Sequence, residues 1–434
     1  MHPRRPLIAA ATLALLLLVQ CLALGAARAA TPESTLQVLH WWTSLSERKA
    51  VEALSRRLAA EGITWQDAAI PGGAGQGAGK VLRGRVLAGN APEVTQIIGV
   101  PLREWAEIGV LLELDAVAAA GNWAELLFPT VFGLIQHRRH VVATPLGIHR
   151  INTLFYNRPL FARFKLPPPT TWADFERAAL RLKSAGVTPL AQSTEPWQVA
   201  GLFETLVLMD GGPALHRDLF ARHSVPAAAD PRLLGALERL RALKGWMAQP
   251  AVELPWTGML QQVVRGEAAM LVMGDWAKGE LNELRAAGVD EDVACLPMPG
   301  TGRYHLFAVD TLAMFAGDYS HTAAQEKLAR LAMQPAMQAE YNAIKGSVPV
   351  RRDADVSRMD SCARASWTSF AQDPASQVAS LTHRMATSDA SRDAIMAEVH
   401  RYFVDDAVAP AEAQRRLAAI FRALQARQAA PASN

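Results

Sequence analysis

The first long pattern along the chain is apolar. Residues 7–24 carry almost no polar side chain, His2, Arg4 and Arg5 precede them, and Ala27-Arg28-Ala29 follows. A basic start, an apolar run and an A-x-A site predict a secretory signal peptide over residues 1–29, cleaved after Ala29. The run also approaches the roughly 18 residues that span a bilayer, so an uncleaved anchor is the alternative. Gln20 is a poor residue to precede a lipid-modified Cys21. Beyond this segment the pattern changes. Residues 35–41 read as a buried strand, and Ser44-Leu45-Ser46-Glu47 has capping-box spacing. Val51, Leu54 and Leu58 then recur at helical intervals. Trp41 and Trp42 therefore sit where a strand turns into a helix.

Similar units recur. Short apolar strands are expected at 94–98, 141–145 and 187–191. Thr171-Trp172-Ala173-Asp174 opens a helix with Phe175, Ala179 and Leu182 on one face, and Gly186 is its stop. Helical patterns also run over 234–247, 325–333 and 411–428. Strands alternating with helices predict α/β lobes with mainly parallel sheets. In such sheets ligands bind at the loops beyond the strand carboxyl ends, where the Trp41-Trp42 loop lies.

Composition narrows the function. Cleavage after Ala29 leaves 434 − 29 = 405 residues, enough for two domains. The formal charge of +3 falls to 3 − 3 = 0 without Arg4, Arg5 and Arg28. No basic block remains, so nucleic acid is not an expected partner. Cys295 and Cys362 are the cysteines left after cleavage. In an oxidising compartment they can pair, and two separate buried thiols are the other reading.

The enzyme motifs fail one by one. Gly72 to Lys80 (GGAGQGAGK) looks like a phosphate loop, but Ala74 stands where a Walker loop needs glycine and Val81 where it needs Ser or Thr. It reads as a flexible surface loop. His137, His140 and His149 lie outside any HExxH spacing, with no cysteine nearby, so no metal is expected. Glu47, Glu204, Asp275 and Asp310 are acids a glycosidase could use, but sequence does not make any two of them face each other. No cofactor is implied and no catalytic residue is assigned. Trp41, Trp42, Trp197 and Trp276 stand beside Glu47, Gln198, Asp275 and Lys278. Flat aromatic faces with planar polar neighbours suit a sugar ring and its hydroxyls. Trp65, Trp105, Trp123, Trp172 and Trp246 read as core.

Several stretches together resemble the periplasmic sugar-binding proteins of ABC importers, extracellular solute-binding family 1, with the bacterial glucose-binding proteins as the nearest branch. They are VLHWWTS at Val38, PLGIHRIN at Pro145, Pro196-Trp197-Gln198, MGDWAKGE at Met273, Val309-Asp310 and KGSVPVR at Lys345. The resemblance implies a two-lobed, maltose-binding-protein-like α/β fold with a hinge and an interlobe cleft. Residues 30–147 plus 309–346 would form the first lobe and 152–305 plus 352–434 the second, with crossings at 148–151, 306–308 and 347–351. It implies Trp42 and Trp276 stacking on a sugar, Trp41 lining the same wall, and Glu47, Asp310, Lys345 and His383 bonding hydroxyls. His149 and Gln198 are supporting candidates. A monosaccharide or small oligosaccharide would be captured in the periplasm by a monomer and passed to membrane permease subunits. The family's glucose binders carry lysine where Ile98 stands and asparagine where Ala308 stands, and Gly-Gly where this chain has Leu45-Ser46. A hydroxyl left unpaired against Ile98 would cost about 1–3 kcal/mol, so another sugar could suit this pocket better. Sugar sensing through a receptor, an exported carbohydrate-active enzyme and an interaction module that has lost sugar binding are the alternatives.

Overall fold

The computed structural model describes residues 34–288, 292–317 and 319–429. The expected signal peptide, 1–29, lies outside the described residues. Among the described residues, ten strands build the two main sheets: β1 (Ser34–His40), β2 (Ile63–Ala69), β3 (Val94–Gln96), β4 (Thr144–Arg150), β5 (Thr153–Asn157), β6 (Thr188–Leu190), β7 (Ala268–Met273), β8 (Val293–Pro297), β9 (His305–Met314) and β10 (Gln377–Ala379), with a short hairpin of Gln136–His137 and His140–Val141 apart from them. The larger sheet runs β10–β9–β3–β1–β2, with β4 also paired to β9. The smaller runs β8–β5–β7–β6. Helices pack on both sheets, giving two α/β lobes.

The sheets are mixed and not mainly parallel. β1 is parallel to both β2 and β3, and β6 to β7, as strand–helix–strand units require. β9 is antiparallel to β3 and β4, and β5 to β7 and β8. The cause is the chain's route: β9 enters the larger sheet directly from the smaller one and so runs against β3 and β4, while β10 lies parallel to it. Gln377–Ala379, grouped by sequence with the second lobe, adds to the larger sheet beside His305, Leu306 and Phe307. Where the chain crosses, Ile148 bridges Val348 and Arg150 pairs with Phe307, so three strands of chain lie side by side.

Local chemistry sets several elements. Ser44 caps α1 (Leu45–Ala59), and the Glu47 side chain returns to the cap amide. Thr171 and Asp174 repeat this capping box at the helix Trp172–Ser184, whose Phe175, Ala179 and Leu182 are buried. The expected strand at 141–145 is displaced to β4. All seven of its residues are buried, and buried His149 and Arg150 break the apolar pattern that sequence reading follows. Cys295 on β8 and Cys362 on the helix Ser361–Gln372 form a disulfide, with Cα atoms 6.2 Å apart. Closing a loop of 67 residues adds roughly 4 kcal/mol in the chain-entropy model.

One backbone contact fixes how two helices meet. Gly346 ends α2 (Pro335–Lys345) with φ 85°, a conformation that glycine adopts without strain. A Cβ there would lie 2.5 Å from Asp275 O and from Gly279 N. A Cβ on Gly279 of α3 (Trp276–Ala286) would lie 2.5 Å from Ile344 O. Two glycines thus let α3 touch the end of α2 backbone to backbone. Gly346→Ala should lower stability by at least about 1–2 kcal/mol from the positive φ alone; an unchanged urea midpoint would show that the contact can yield freely.

Candidate functional site

A cavity of about 300 Å³ lies between the lobes. Its walls come mainly from loops at the carboxyl ends of parallel strands, where open α/β sheets place ligands. The loop after β1 brings Trp41, Trp42, Thr43 and Ser44, with Glu47 from the first turn of α1. The loop after β2 brings Gly72, Gly73 and Ala74, and that after β3 brings Ile98. From the smaller sheet, the loop after β6 supplies Glu195 and Trp197, and the end of β7 leads into Trp276. Ala308 and Asp310 stand two residues apart on β9, hence on one face. His149 faces Ala308 in register from β4. Lys345 and His383 complete this set, and Trp256 adds a further aromatic wall.

The floor of the cavity is a chain of charged groups. Lys345 Nζ lies 3.1 Å from Glu47 Oε1, while Glu47 Oε2 accepts the amides of Thr43 (2.9 Å) and Ser44 (3.0 Å). One carboxylate therefore caps a helix and holds the lysine. His149 Nδ1 lies 2.6 Å from Asp275 Oδ1 and His149 Nε2 3.2 Å from Asp310 Oδ2. Both ring nitrogens face carboxyl oxygens; with Asp275 and Asp310 ionised both nitrogens donate and the imidazole carries a positive charge, although burial raises Asp275. Burial opposes that charge, but Asp275 and Asp310 outweigh it and His149 titrates above its ordinary range. Burial would also raise Asp310, yet the His149 hydrogen bond and charge, with Lys345 and Gln96 nearby, bring it to about 2. Gln96 Nε2 donates to Asp310 Oδ1 at 3.0 Å and Gln96 Oε1 accepts from Trp41 N at 3.2 Å. The polar floor thus runs without a break from the first tryptophan to Asp275.

The aromatic walls are equally tied down. Trp276 stands edge-on to His149, their ring centres 5.4 Å apart, and 5.2 Å from His383. Trp197 Nε1 donates to Glu195 Oε2 at 2.9 Å. Trp42 N donates to His40 Nδ1, and His40 Nε2 lies 2.6 Å from Asp67 Oδ1. His383 is placed from behind by fully buried Glu204, which accepts from Ser380 Oγ (2.8 Å), Leu381 N (2.6 Å) and Thr382 N (3.2 Å). Burial keeps His383 uncharged, with a pKa of about 3. The next residue, Arg384, donates to Ala74 O and lies over the Trp41 ring. Arg384 also pairs at 2.6 Å with Asp389, which takes Arg83 at 3.1 Å. These contacts tie the turn that carries His383 to the rim formed by Trp41, Ala74 and Arg83.

The structure brings Trp41, Trp42, Glu47, His149, Trp276, Asp310, Lys345 and His383 to one cavity, with Ile98 and Ala308 on its wall. Gln198 does not line it. Its Nε2 donates to Glu195 Oε2 at 2.7 Å and to Leu254 O, behind Trp197. The reading of 72–80 as a flexible surface loop is overturned. Gly72, Gly73 and Ala74 line the cavity, and Gln76–Leu87 is a helix. A Cβ on Gly73 would fall 2.0 Å from Trp197 Nε1, and one on Gly75 2.8 Å from the Trp41 ring. These glycines are packing against tryptophans from both lobes, which a local motif search does not register. Glu195 and Trp256 were also missed; Glu195, two residues before Trp197, carried the better sequence signal. His140 lies on the surface against Glu113 and Asp115, apart from His149.

The chain belongs to the bacterial extracellular solute-binding protein family, whose model matches residues 45–338. It is 33% identical over 377 residues to a probable sugar-binding periplasmic protein of Brucella melitensis, covering 86% of this chain and 89% of that one. A protein of the same description from Rhizobium meliloti is 32% identical over 381 residues, 87% and 91% of the two chains. Among solved structures, a chitin oligosaccharide binding protein superposes with a TM-score of 0.78 at 17% identity, covering 91% of this chain and 100% of the other. A solute-binding protein in complex with raffinose gives 0.72 at 19% identity, with 90% and 99% covered. These two likenesses establish the fold.

The floor predicts a pH dependence. His149, raised in the folded state, contributes stability that is fully present below its unfolded pKa of about 6.5 and lost as pH rises through the higher folded value. Asp310, depressed, contributes stability present above its unfolded pKa of about 3.9 and lost as pH falls toward about 2. Urea midpoints measured from neutral to alkaline pH should therefore decline, and less steeply in His149→Gln. Parallel curves for the two proteins would remove His149 from this linkage.

Proposed function

We propose that this protein is the periplasmic binding component of an ABC sugar importer. It captures a monosaccharide or small oligosaccharide between its lobes and presents it to permease subunits in the inner membrane. The observation that carries this reading is the cavity itself: Trp41, Trp42, Trp197, Trp256 and Trp276 surround a hydrogen-bonding floor of Glu47, Lys345, His149 and Asp310. Flat apolar faces match the C–H faces of a sugar ring, and the planar polar groups match its hydroxyls. The names of the Brucella and Rhizobium relatives point the same way.

In this reading Trp42 and Trp276 stack on the ring, Trp41 closes the wall, and Glu47, Asp310, Lys345 and His383 bond hydroxyls. Gln198 supports Trp197 through Glu195, and His149 holds Asp310 and Asp275 in place. Residues 30–147 plus 309–346 move as one lobe, joined by Gln377–Ala379 through its place in the larger sheet, and 152–305 plus the rest of 352–434 as the other, about crossings at 148–151, 306–308 and 347–351. Closure follows from ligand contacts made with both lobes, which favour the closed form over the open one. The protein acts as a monomer, without catalysis, after cleavage of residues 1–29 on export.

Calorimetric titration tests this, with protein unfolded and refolded to strip endogenous ligand. A panel of glucose, galactose, mannose, xylose and common disaccharides should give saturable one-site binding with no product formed. No binding to any sugar by folded protein would sink the reading, and turnover would move it to an enzyme. Trp276→Ala should weaken binding of the preferred sugar at least about thirtyfold, as for a buried aromatic hot spot. Unchanged affinity would take Trp276 out of the site.

A further inference from the structure

Among the ionisable groups lining the cavity, the balance of charge is uneven. Three carboxylates face it: Glu47, Glu195 and Asp310. Its two cations are already committed, Lys345 to Glu47 at 3.1 Å and His149 to Asp310 at 3.2 Å. His149 is further held by Asp275. His383, the remaining histidine on the wall, is uncharged because burial disfavours its cation. Arg384 lies at the rim, but its guanidinium is spent on Asp389 and Ala74 O.

Glu195 differs from the other two carboxylates. Among the described residues its carboxylate has no ion-pair partner. Its side-chain contacts are neutral donors, Trp197 Nε1 at 2.9 Å and Gln198 Nε2 at 2.7 Å, and both fall on Oε2. Oε1 accepts from neither. Glu195 precedes the first residue of the helix Pro196–Phe220, and the partial positive charge at that helix start favours a carboxylate there without placing a formal cation beside it. One negative charge is thus left over on the cavity wall, and no positive charge is free to receive an acid.

We propose that the cavity selects neutral and amino sugars and rejects acidic ones, with Glu195 as the residue that sets this preference. The inference rests on the sugar-binding reading above. A uronate or sugar phosphate would bring an anion into a partly closed space with no spare cation and an unpaired carboxylate. A protonated sugar amine would find the open Glu195 oxygen.

The test is a titration of glucose, glucosamine and glucuronate, and of the galactose counterparts, at low salt and slightly acid pH, where the sugar amines are protonated. Within a series that binds, the acid should bind at least about tenfold more weakly than the neutral sugar, as expected for an uncompensated like charge. The amine should bind at least as well as the neutral sugar, and its advantage should shrink with added salt. Glu195→Gln should lower the amine-to-neutral affinity ratio by at least about threefold, and Glu195→Asp should restore part of it. Near-UV circular dichroism checks that both variants keep the fold. An acid that binds as well as its neutral parent, or an amine-to-neutral ratio unmoved by Glu195→Gln, overturns the proposal. Failure of all six sugars to bind also overturns it, whereas the sugar-binding reading itself falls only if the wider panel gives no binding.

Discussion

The cavity depends on a single imidazolium. His149 is buried between carboxylates from two parts of the chain, Asp275 at the start of α3 and Asp310 on β9. Without a doubly protonated ring, one of these acids would lose its charged partner, leaving Asp275 with the Arg150 amide or Asp310 with Gln96. Charged groups so deep in a fold are tolerated when each is paired and hydrogen-bonded, and here that condition is met in series. Asp275 Oδ2 accepts the Arg150 amide, Asp310 Oδ1 accepts Gln96 Nε2, and Gln96 reaches the backbone of Trp41. The position of the first tryptophan is linked in this way to the strand crossing between lobes.

The second constraint is steric. Gly279 and Gly346 bring α3 and the end of α2 together, and α3 also meets α1, where Ser46 N donates to Glu280 Oε2 at 3.1 Å. Trp276 begins α3, Lys345 ends α2 and Glu47 lies in the first turn of α1. The approach of three helix ends therefore sets the spacing of an aromatic wall against an ion pair. Gly73, packed on Trp197, does the same across the opposite rim.

What the sequence disclosed follows the range of each interaction. The Ser44–Glu47 capping box, the turn at Trp41–Trp42 and the helix opened by Thr171 are local, and each stood out in the residue pattern. Two α/β lobes and a shared cavity also followed from the spread of matching motifs. The failures are non-local. Gly72 to Lys80 looked idle because its tryptophan partners lie in other parts of the chain or across the cleft. Residues 144–150 did not read as a strand because His149 and Arg150 satisfy their charges with partners remote in sequence. Gln198 looked like a pocket residue because it adjoins Trp197, yet the helical turn aims it behind that ring toward Glu195. Pairing of Cys295 with Cys362 was open until their distance was in hand.

The Glu47–Lys345 contact spans 298 residues, and the turn held by Glu204 brings in His383 from still further along the chain. Contacts of this separation form late, since a long loop must close before they gain anything. A nascent chain that has passed only its first three hundred residues has most of its tryptophans in hand but neither Lys345 nor His383. The cavity is thus completed only when residues from the last third of the chain join the fold, and a chain still emerging lacks both the lysine of its floor and the histidine of its wall.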